Sequence, residues 1–180
     1  NSTAGNRAVN LPEFVNIASD ELIDIDIPVV DWRRPLNRGN DLLRRGKLKE
    51  ALEQFREALH IDPKQAQAHF HAGLALDKLK FRDEAVRHYT KTIELNPKHA
   101  PAYNNLGIVL GRQGKFEQAI EYFRKAIAAD PVLHSAHGNL GKALMHLGKV
   151  DQAVHHFRRA LEIEPTSASA RINLKHALRK

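Results

Sequence analysis

Apolar positions along the chain recur with helical spacing in short blocks. Between residues 100 and 133, a first set falls at i, i+3, i+4 and i+7: Tyr103, Leu106, Gly107 and Leu110. A second set continues the helical spacing: Phe116, Ala119, Ile120, Phe123, Ala126 and Ile127. This pattern predicts two amphipathic helices, joined by a polar turn at residues 112–115.

The two-helix block repeats with a period of 34 residues. Copies lie at residues 66–99, 100–133 and 134–167, and a weaker copy lies at 32–65. Each block ends in a polar residue followed by proline, which cannot continue a helix: Asp62-Pro63, Asn96-Pro97, Asp130-Pro131 and Glu164-Pro165. Residues 168–180 begin a fifth copy that stops after one polar helix. We therefore predict an all-α solenoid of four repeats with a capping helix.

Residues 1–31 differ from the rest of the chain in pattern and charge. Ile23, Ile25 and Ile27 alternate with two aspartates in a strand-like period, which Pro28 ends. This stretch carries one basic and six acidic residues, a net −5, so the other 149 residues must carry +12 to give the total of +7. We expect an extended acidic segment. One interpretation is a linker that lies over neighbouring helices. The other is an acidic, apolar peptide that occupies the basic surface of its own chain or of a second copy.

Composition excludes several classes of function. The chain has no cysteine, and no apolar run approaches the roughly 18 residues of a membrane span. It begins with Asn1 rather than methionine, which we interpret as processing or excision from a longer protein. We find no glycine-rich phosphate loop and expect no catalytic site and no cofactor. His134 and His137 share a helix face, and His155 and His156 are adjacent, but neither pattern predicts a specific metal site.

The small and aromatic residues follow a known family pattern. The third repeat has Tyr103, Leu106-Gly107, Leu110, Ala119, Phe123, Ala126 and Pro131. The fourth has His137, Leu140-Gly141, Leu144, Ala153, Phe157, Ala160 and Pro165. This pattern resembles the tetratricopeptide repeat (TPR) family over about 150 residues. The second repeat departs from it at Lys80, where glycine is usual, and at Thr92, where alanine is usual. In the first repeat, Pro35 and Arg38 interrupt the opening helix, which we expect to begin near Pro35.

The resemblance implies a right-handed superhelix whose first helices line a concave groove that holds a peptide. A stripe beside the core stripe of each first helix would face this groove. The groove residues expected on this basis are Asn37, Asn40, Arg44, Phe70, His71, Leu74, Lys78, Asn105, Ile108, Arg112, Asn139, Lys142, His146 and Asn173. The same stripe contains Leu36, Asn104, Met145 and Ile172.

Three chemical features stand out in this expected groove. Asparagine occupies the same position in four of the five first helices: Asn37, Asn105, Asn139 and Asn173. His71 occupies this position in the second repeat. The asparagines resemble the asparagine ladder of the glycosyltransferase that adds N-acetylglucosamine to proteins, and would hold a peptide backbone; alternatively, they tie neighbouring repeats together. A second row is basic, and favours acidic ligands unless it is simply a solvated face: Arg44, Lys78, Arg112 and His146. Apolar contacts would come from Leu36, Phe70, Leu74, Ile108 and Met145, unless adjacent helices cover some of them.

Two more specific functions fit less well. The carboxylate-clamp version of the family uses Lys and Asn on its first helix, Asn on its second, and Lys and Arg on its third. The matching positions here are Leu36, Asn40, His71, Pro101 and Asn105, where only the asparagines can correspond, so we reject a chaperone co-factor of that type. Nucleic-acid binding is a rival because the body is basic. However, the groove offers only one aromatic residue, Phe70, for base stacking. Nucleic-acid binding would be supported by an affinity that falls steeply as salt rises and that does not depend on the sequence of the peptide tested.

The sequence therefore predicts a non-enzymatic protein-binding scaffold or adaptor. Its expected ligand is an acidic segment with apolar anchors, similar to Ile-Asp-Ile-Asp-Ile in residues 23–27. We expect no small-molecule substrate and no membrane span. The alternatives are self-assembly through residues 11–31, or a role as the TPR domain of a larger enzyme or membrane complex.

Overall fold

The computed structural model describes residues 31–179, and this part of the chain folds into nine α-helices and no strands. The helices are α1 (Arg33–Arg44), α2 (Leu48–Ile61), α3 (Ala66–Lys78), α4 (Arg82–Leu95), α5 (Ala100–Arg112), α6 (Phe116–Ala129), α7 (His134–His146), α8 (Val150–Ile163) and α9 (Ala168–Ala177). The predicted all-α solenoid is confirmed. The acidic segment, with its strand-like pattern, lies outside the described residues except for Asp31.

Each helix packs against the next helix in the chain. First helices of successive repeats also contact one another, α1 with α3, α5 with α7, and α7 with α9. These contacts place the first helices on the inner side of the stack. The inner side is therefore the face formed by α1, α3, α5, α7 and α9.

The first helix begins near Pro35, as the sequence predicted, but it is not interrupted there. α1 starts at Arg33, and Pro35 lies buried in its first turn rather than at its start. Proline is tolerated there because the first N–H groups of a helix have no acceptor within it. The expected interruption at Pro35 and Arg38 is therefore wrong.

Each repeat has one aromatic ring from its second helix packed against a glycine of its first helix. The rings belong to Phe55, Tyr89, Phe123 and Phe157, all at most 3% exposed, and the glycines are Gly39, Gly73, Gly107 and Gly141. A Cβ atom at Gly107 would lie 2.6 Å from Cε1 of Phe123, far inside van der Waals contact. The small residue is what allows the two helices of a repeat to approach closely.

The second repeat departs from the family pattern at Thr92 without leaving a polar group unsatisfied. Thr92 is fully buried, and its hydroxyl donates a hydrogen bond to the backbone carbonyl of His88 at 2.9 Å. A buried hydroxyl with such a partner fits where alanine is usual, because its desolvation is compensated.

The turns between paired helices contain a residue in the left-handed conformation. Three of the four are glycines, Gly46, Gly114 and Gly148, with φ between 71° and 79°. The fourth is Lys80, with φ of 71°. A side chain makes this conformation unfavourable by about 1–2 kcal/mol, and glycine removes that strain.

Lys80→Gly is expected to stabilise the protein by about 0.5–1 kcal/mol, because the relief of strain exceeds the entropy that glycine adds to the unfolded chain. Urea denaturation followed by circular dichroism measures the change. The reciprocal substitution, Gly114→Lys, should destabilise by a similar amount. A Lys80→Gly protein less stable than the parent would contradict the prediction.

Candidate functional site

The inner face presents most of the residues that the sequence assigned to a groove. Asn37, Arg44, Lys78, Arg112, Lys142 and His146 are exposed, and Asn40, Phe70, His71, Leu74, Asn105, Ile108, Asn139 and Asn173 are half-buried. Two further residues of the same stripe were misplaced. Leu36 is 4% exposed and Asn104 is 6% exposed, so both belong to the packed interior. The stripe is narrower than the helical period suggested because neighbouring first helices cover its edge.

Cavities on the described inner face concentrate at α5, α7 and α9. One has a volume of about 360 Å³ and lies between α5, α6 and α7, where Ile108, Gly111, Phe116 and His146 contribute to its walls. A second, of about 280 Å³, extends from α7 to α9. A third, of about 130 Å³, lies beside the start of α7. This end of the inner face can accommodate side chains of a bound segment.

Lys142 lines all three cavities. It is exposed overall, yet partial burial lowers the pKa of its ammonium group, and the positive charge of Arg112 lowers it further. Asn139 accompanies it in two of the cavities. An amine and an amide at the junction of the cavities can bind an anionic group and a peptide bond, respectively.

The basic row identified in the sequence is partly neutralised within the protein. Nη1 of Arg112 donates to both carboxylate oxygens of Asp77, at 2.8 and 2.7 Å, and Arg44 pairs with Asp41. Within residues 31–179, neither Lys78 nor Lys142 has an ion-pair partner. Of the cations expected in the groove, Lys78 and Lys142 therefore keep an uncompensated charge within this part of the chain, whereas Arg44 and Arg112 do not.

Several asparagines are engaged in hydrogen bonds within the protein. Nδ2 of Asn139 donates to Oδ1 of Asn104 at 3.0 Å, which joins α7 to α5. Nδ2 of Asn104 in turn donates to Oδ1 of Asn105 at 3.4 Å. At this step the amides tie neighbouring repeats together, as one of the two interpretations expected. The described residues offer no partner to the buried Oδ1 of Asn40.

The aromatic residues of the face are arranged differently from the expectation. Phe70 packs among neighbouring rings, with its ring centroid 4.5 Å from that of His99 and 6.0 Å from that of Tyr89. Phe116, assigned from the sequence only to the core stripe, stacks on His146 with a ring-centroid distance of 4.3 Å and lines the 360 Å³ cavity. Its place as the first residue of α6, next to the turn, is the signal that could have identified it.

The geometry thus defines a helical-repeat scaffold with a recessed inner face, and the sequence comparisons identify its class. Models of the tetratricopeptide repeat match residues 64–131 and 104–168, and a TPR repeat model matches residues 39–80. The chain belongs to the tetratricopeptide-repeat family. No curated protein matches it.

Solved structures with similar folds include several helical-repeat proteins. MamA is 29% identical, with a TM-score of 0.71, over 76% of this chain and 80% of its own. PilF of Pseudomonas aeruginosa is 25% identical, with a TM-score of 0.76, over 82% of this chain and 68% of its own. YrrB, described as a TPR protein with an unusual peptide-binding site, is 24% identical, with a TM-score of 0.70, over 83% of this chain and 77% of its own.

Proteins of this family bind protein partners and are typically non-enzymatic scaffolds. None of the helices in residues 31–179 combines the length and the apolar character that crossing a membrane requires.

Proposed function

We propose that the protein is an adaptor that holds an acidic, apolar-anchored segment of a partner against the inner face of α5, α7 and α9. It is proposed as a binding protein rather than an enzyme, in line with its family. The single observation that carries the proposal is the position of Lys142 at the junction of three cavities. The amine has no ion-pair partner within residues 31–179, so an acidic side chain of the ligand can pair with it.

The cavity beside Lys142 suits an apolar anchor. Ile108, Phe116 and the ring of His146 form its walls, while Gly111 leaves space on the α5 side because it has no side chain. An isoleucine or leucine of the ligand would lose its contact with water in this space, at a gain of about 2 kcal/mol when fully buried. An alternating acidic and apolar segment would satisfy the lysine and the cavity together.

Asn139 is suited to the ligand backbone only in part. One of the two N–H groups of its Nδ2 already donates to Asn104, so its other N–H and its carbonyl oxygen remain for a ligand. Because Asn104 and Asn105 also bond to each other, we expect backbone contacts at Asn139 rather than a continuous ladder.

Lys142→Glu is expected to weaken binding of an acidic peptide at least about tenfold, because it replaces an attraction by a repulsion next to the ligand carboxylate. The probe is a labelled peptide with the sequence of residues 21–31, ELIDIDIPVVD, and fluorescence anisotropy measures its affinity. A second peptide with asparagine at each aspartate should bind more weakly to the parent protein.

Lys49→Glu is the matched control, because Lys49 is exposed on α2 and the substitution changes the net charge equally. It should leave the affinity within about twofold. An equal loss in both variants would indicate non-specific attraction to a basic body. An affinity unchanged by Lys142→Glu would contradict the proposed site.

The acidic N-terminal segment is itself a candidate ligand, because it carries −5 against +12 on the remaining residues. If it joins one copy to another, removal of residues 1–31 should reduce the mass measured by sedimentation. If it lies on its own chain, the mass should stay the same and the acidic peptide should bind more tightly. No change in either quantity would leave an external partner as the ligand.

A further inference from the structure

Two histidine pairs occupy equivalent places in the second and fourth repeats. Nδ1 of His69 on α3 lies 3.1 Å from Nδ1 of His88 on α4. Nδ1 of His137 on α7 lies 3.2 Å from Nδ1 of His156 on α8. Both members of the second pair lie 68 residues after those of the first, which is two repeat periods. The same local structure therefore builds the pair twice.

The first histidine of each pair is held in one orientation by a backbone carbonyl. Nε2 of His69 lies 3.1 Å from the oxygen of Pro63, and Nε2 of His137 lies 3.4 Å from the oxygen of Pro131. A carbonyl only accepts, so Nε2 carries the proton and Nδ1 keeps its lone pair. Burial lowers the pKa of all four histidines, which keeps the rings neutral near pH 7.

These distances are those of a hydrogen bond between the two rings, and they also match the separation of two ligands on one metal ion. Metal–nitrogen bonds of about 2.0–2.1 Å place two neighbouring ligand atoms about 2.9–3.4 Å apart, in octahedral or tetrahedral coordination. Metal-binding histidines also commonly donate their other N–H to a carbonyl or carboxylate, which fixes the ring. The Pro63 and Pro131 carbonyls have this position.

We propose that each pair, His69 with His88 and His137 with His156, binds a divalent transition-metal ion through its two Nδ1 atoms. Imidazole favours Ni²⁺, Cu²⁺ and Zn²⁺ over Mg²⁺ and Ca²⁺. Without an ion, Nδ1 of His88 or His156 donates its proton to the lone pair on Nδ1 of the first ring, and this proton moves to Nε2 when the ion binds. Within residues 31–179, no group of three histidine, aspartate or glutamate residues could hold a metal, so water fills the other coordination positions.

The surroundings set the affinity of the first pair. His69 and His88 line a cavity of about 190 Å³, which has room for bound water and which also contains Glu84, Arg87 and Lys91. The two cations oppose the ion, and Glu84 offsets part of that repulsion. Because added salt screens the net repulsion, binding should strengthen or stay constant as salt rises. Non-specific attraction of a metal cation to surface carboxylates would instead weaken as salt rises.

The third repeat provides an internal comparison. Tyr103 and Tyr122 occupy the equivalent positions, with ring centroids 6.5 Å apart in a stacked arrangement. Two phenol rings offer no neutral nitrogen ligand, so this repeat should bind no ion. Tyr103→His combined with Tyr122→His would restore the pattern of the neighbouring repeats.

The test is calorimetric titration of the full chain, without an affinity tag, with Ni²⁺ at pH 7.5. We expect two ions per chain for the parent, one for His88→Gln, and none for His88→Gln combined with His156→Gln. Circular dichroism verifies that each variant keeps its helical content. The Tyr103→His and Tyr122→His protein should bind three ions.

A variant with His60→Gln and His176→Gln controls for the general loss of histidines, since both residues are exposed and neither belongs to a pair. It should still bind two ions. The proposal is overturned if the parent binds no Ni²⁺ at millimolar concentration, if the His88→Gln and His156→Gln protein binds two ions, or if the control loses binding. A count of two ions after Tyr103→His and Tyr122→His would also count against it.

Discussion

Gly107→Ala is expected to destabilise the protein by about 2 kcal/mol, despite the better helix propensity of alanine. The new methyl group would lie 2.6 and 2.8 Å from two ring carbons of Phe123, which is buried between the helices of the third repeat. The ring cannot turn away into solvent, so α5 and α6 must move apart. Overpacking of this kind typically costs about 1–3 kcal/mol. Urea denaturation followed by circular dichroism measures the loss.

Gly111→Ala is the matched control, four residues further along the same helix. A methyl group there would meet only Cβ of Ala119, at 3.9 Å, which is ordinary contact. This variant should gain up to about 1 kcal/mol, because alanine favours the helix interior over glycine. Equal effects of the two substitutions would contradict the interpretation that Gly107 is required by the ring of Phe123.

Lowering the pH from 7.5 to 4 is expected to remove about 2 kcal/mol of stability for each of the two histidine pairs. Burial lowers the pKa of His88 and of His156 to about 4, from 6.5 in the unfolded chain. A tenfold change in proton affinity corresponds to about 1.4 kcal/mol, and partial exposure of the rings reduces the total. The unfolded chain therefore takes up protons first, and stability is complete above pH 6.5 and falls towards pH 4.

Most other charged groups around the two pairs also lower the pKa of the paired histidines. The groups that affect the rings are Arg56, Arg87, Lys91 and Glu94 at the first pair, and Arg124, His155, Arg159 and Glu162 at the second. The cations lower the pKa of the histidines, and the two glutamates raise it. The cations outnumber the glutamates, so protonation remains unfavourable in the folded state.

His137→Tyr combined with His156→Tyr isolates this effect, because the third repeat already places Tyr103 and Tyr122 at these positions. The free energy of unfolding, measured in urea with a chelator present at pH 7.5 and pH 4, should fall about half as far in this variant as in the parent. A fall as large as that of the parent would show that other groups cause the acid sensitivity.

The fold was predictable from the sequence because its determinants are local and repeated. The 34-residue period and the proline endings predicted the helices and their order, and the structure and family matches confirm them. The interruption expected at Pro35 and Arg38 was wrong, because proline in a first turn resembles a helix break when the sequence alone is considered.

The sequence predicted which face of the helices carries the candidate site, but it did not predict which side chains of that face stay accessible. The helical stripe identified Lys142, Asn139 and Ile108 as inner-face residues, and it failed where a neighbouring repeat covers the edge, as at Leu36 and Asn104. Phe116 was missed because its position at the start of a second helix lies outside the stripe. Periodicity on one helix carries no information about which side chains of the next repeat reach it.

The sequence by itself determined the repeat number, the helix pairing and the chemistry available on each face, since these follow from spacing within about 34 residues. Only the tertiary structure decided which groups remain for a ligand. Asp77 neutralises Arg112 from 35 positions away, Asn104 accepts from Asn139, and His69 meets His88 on another helix. These contacts depend on how adjacent helices are offset and on which rotamers fit between them, and neither is encoded in the local pattern.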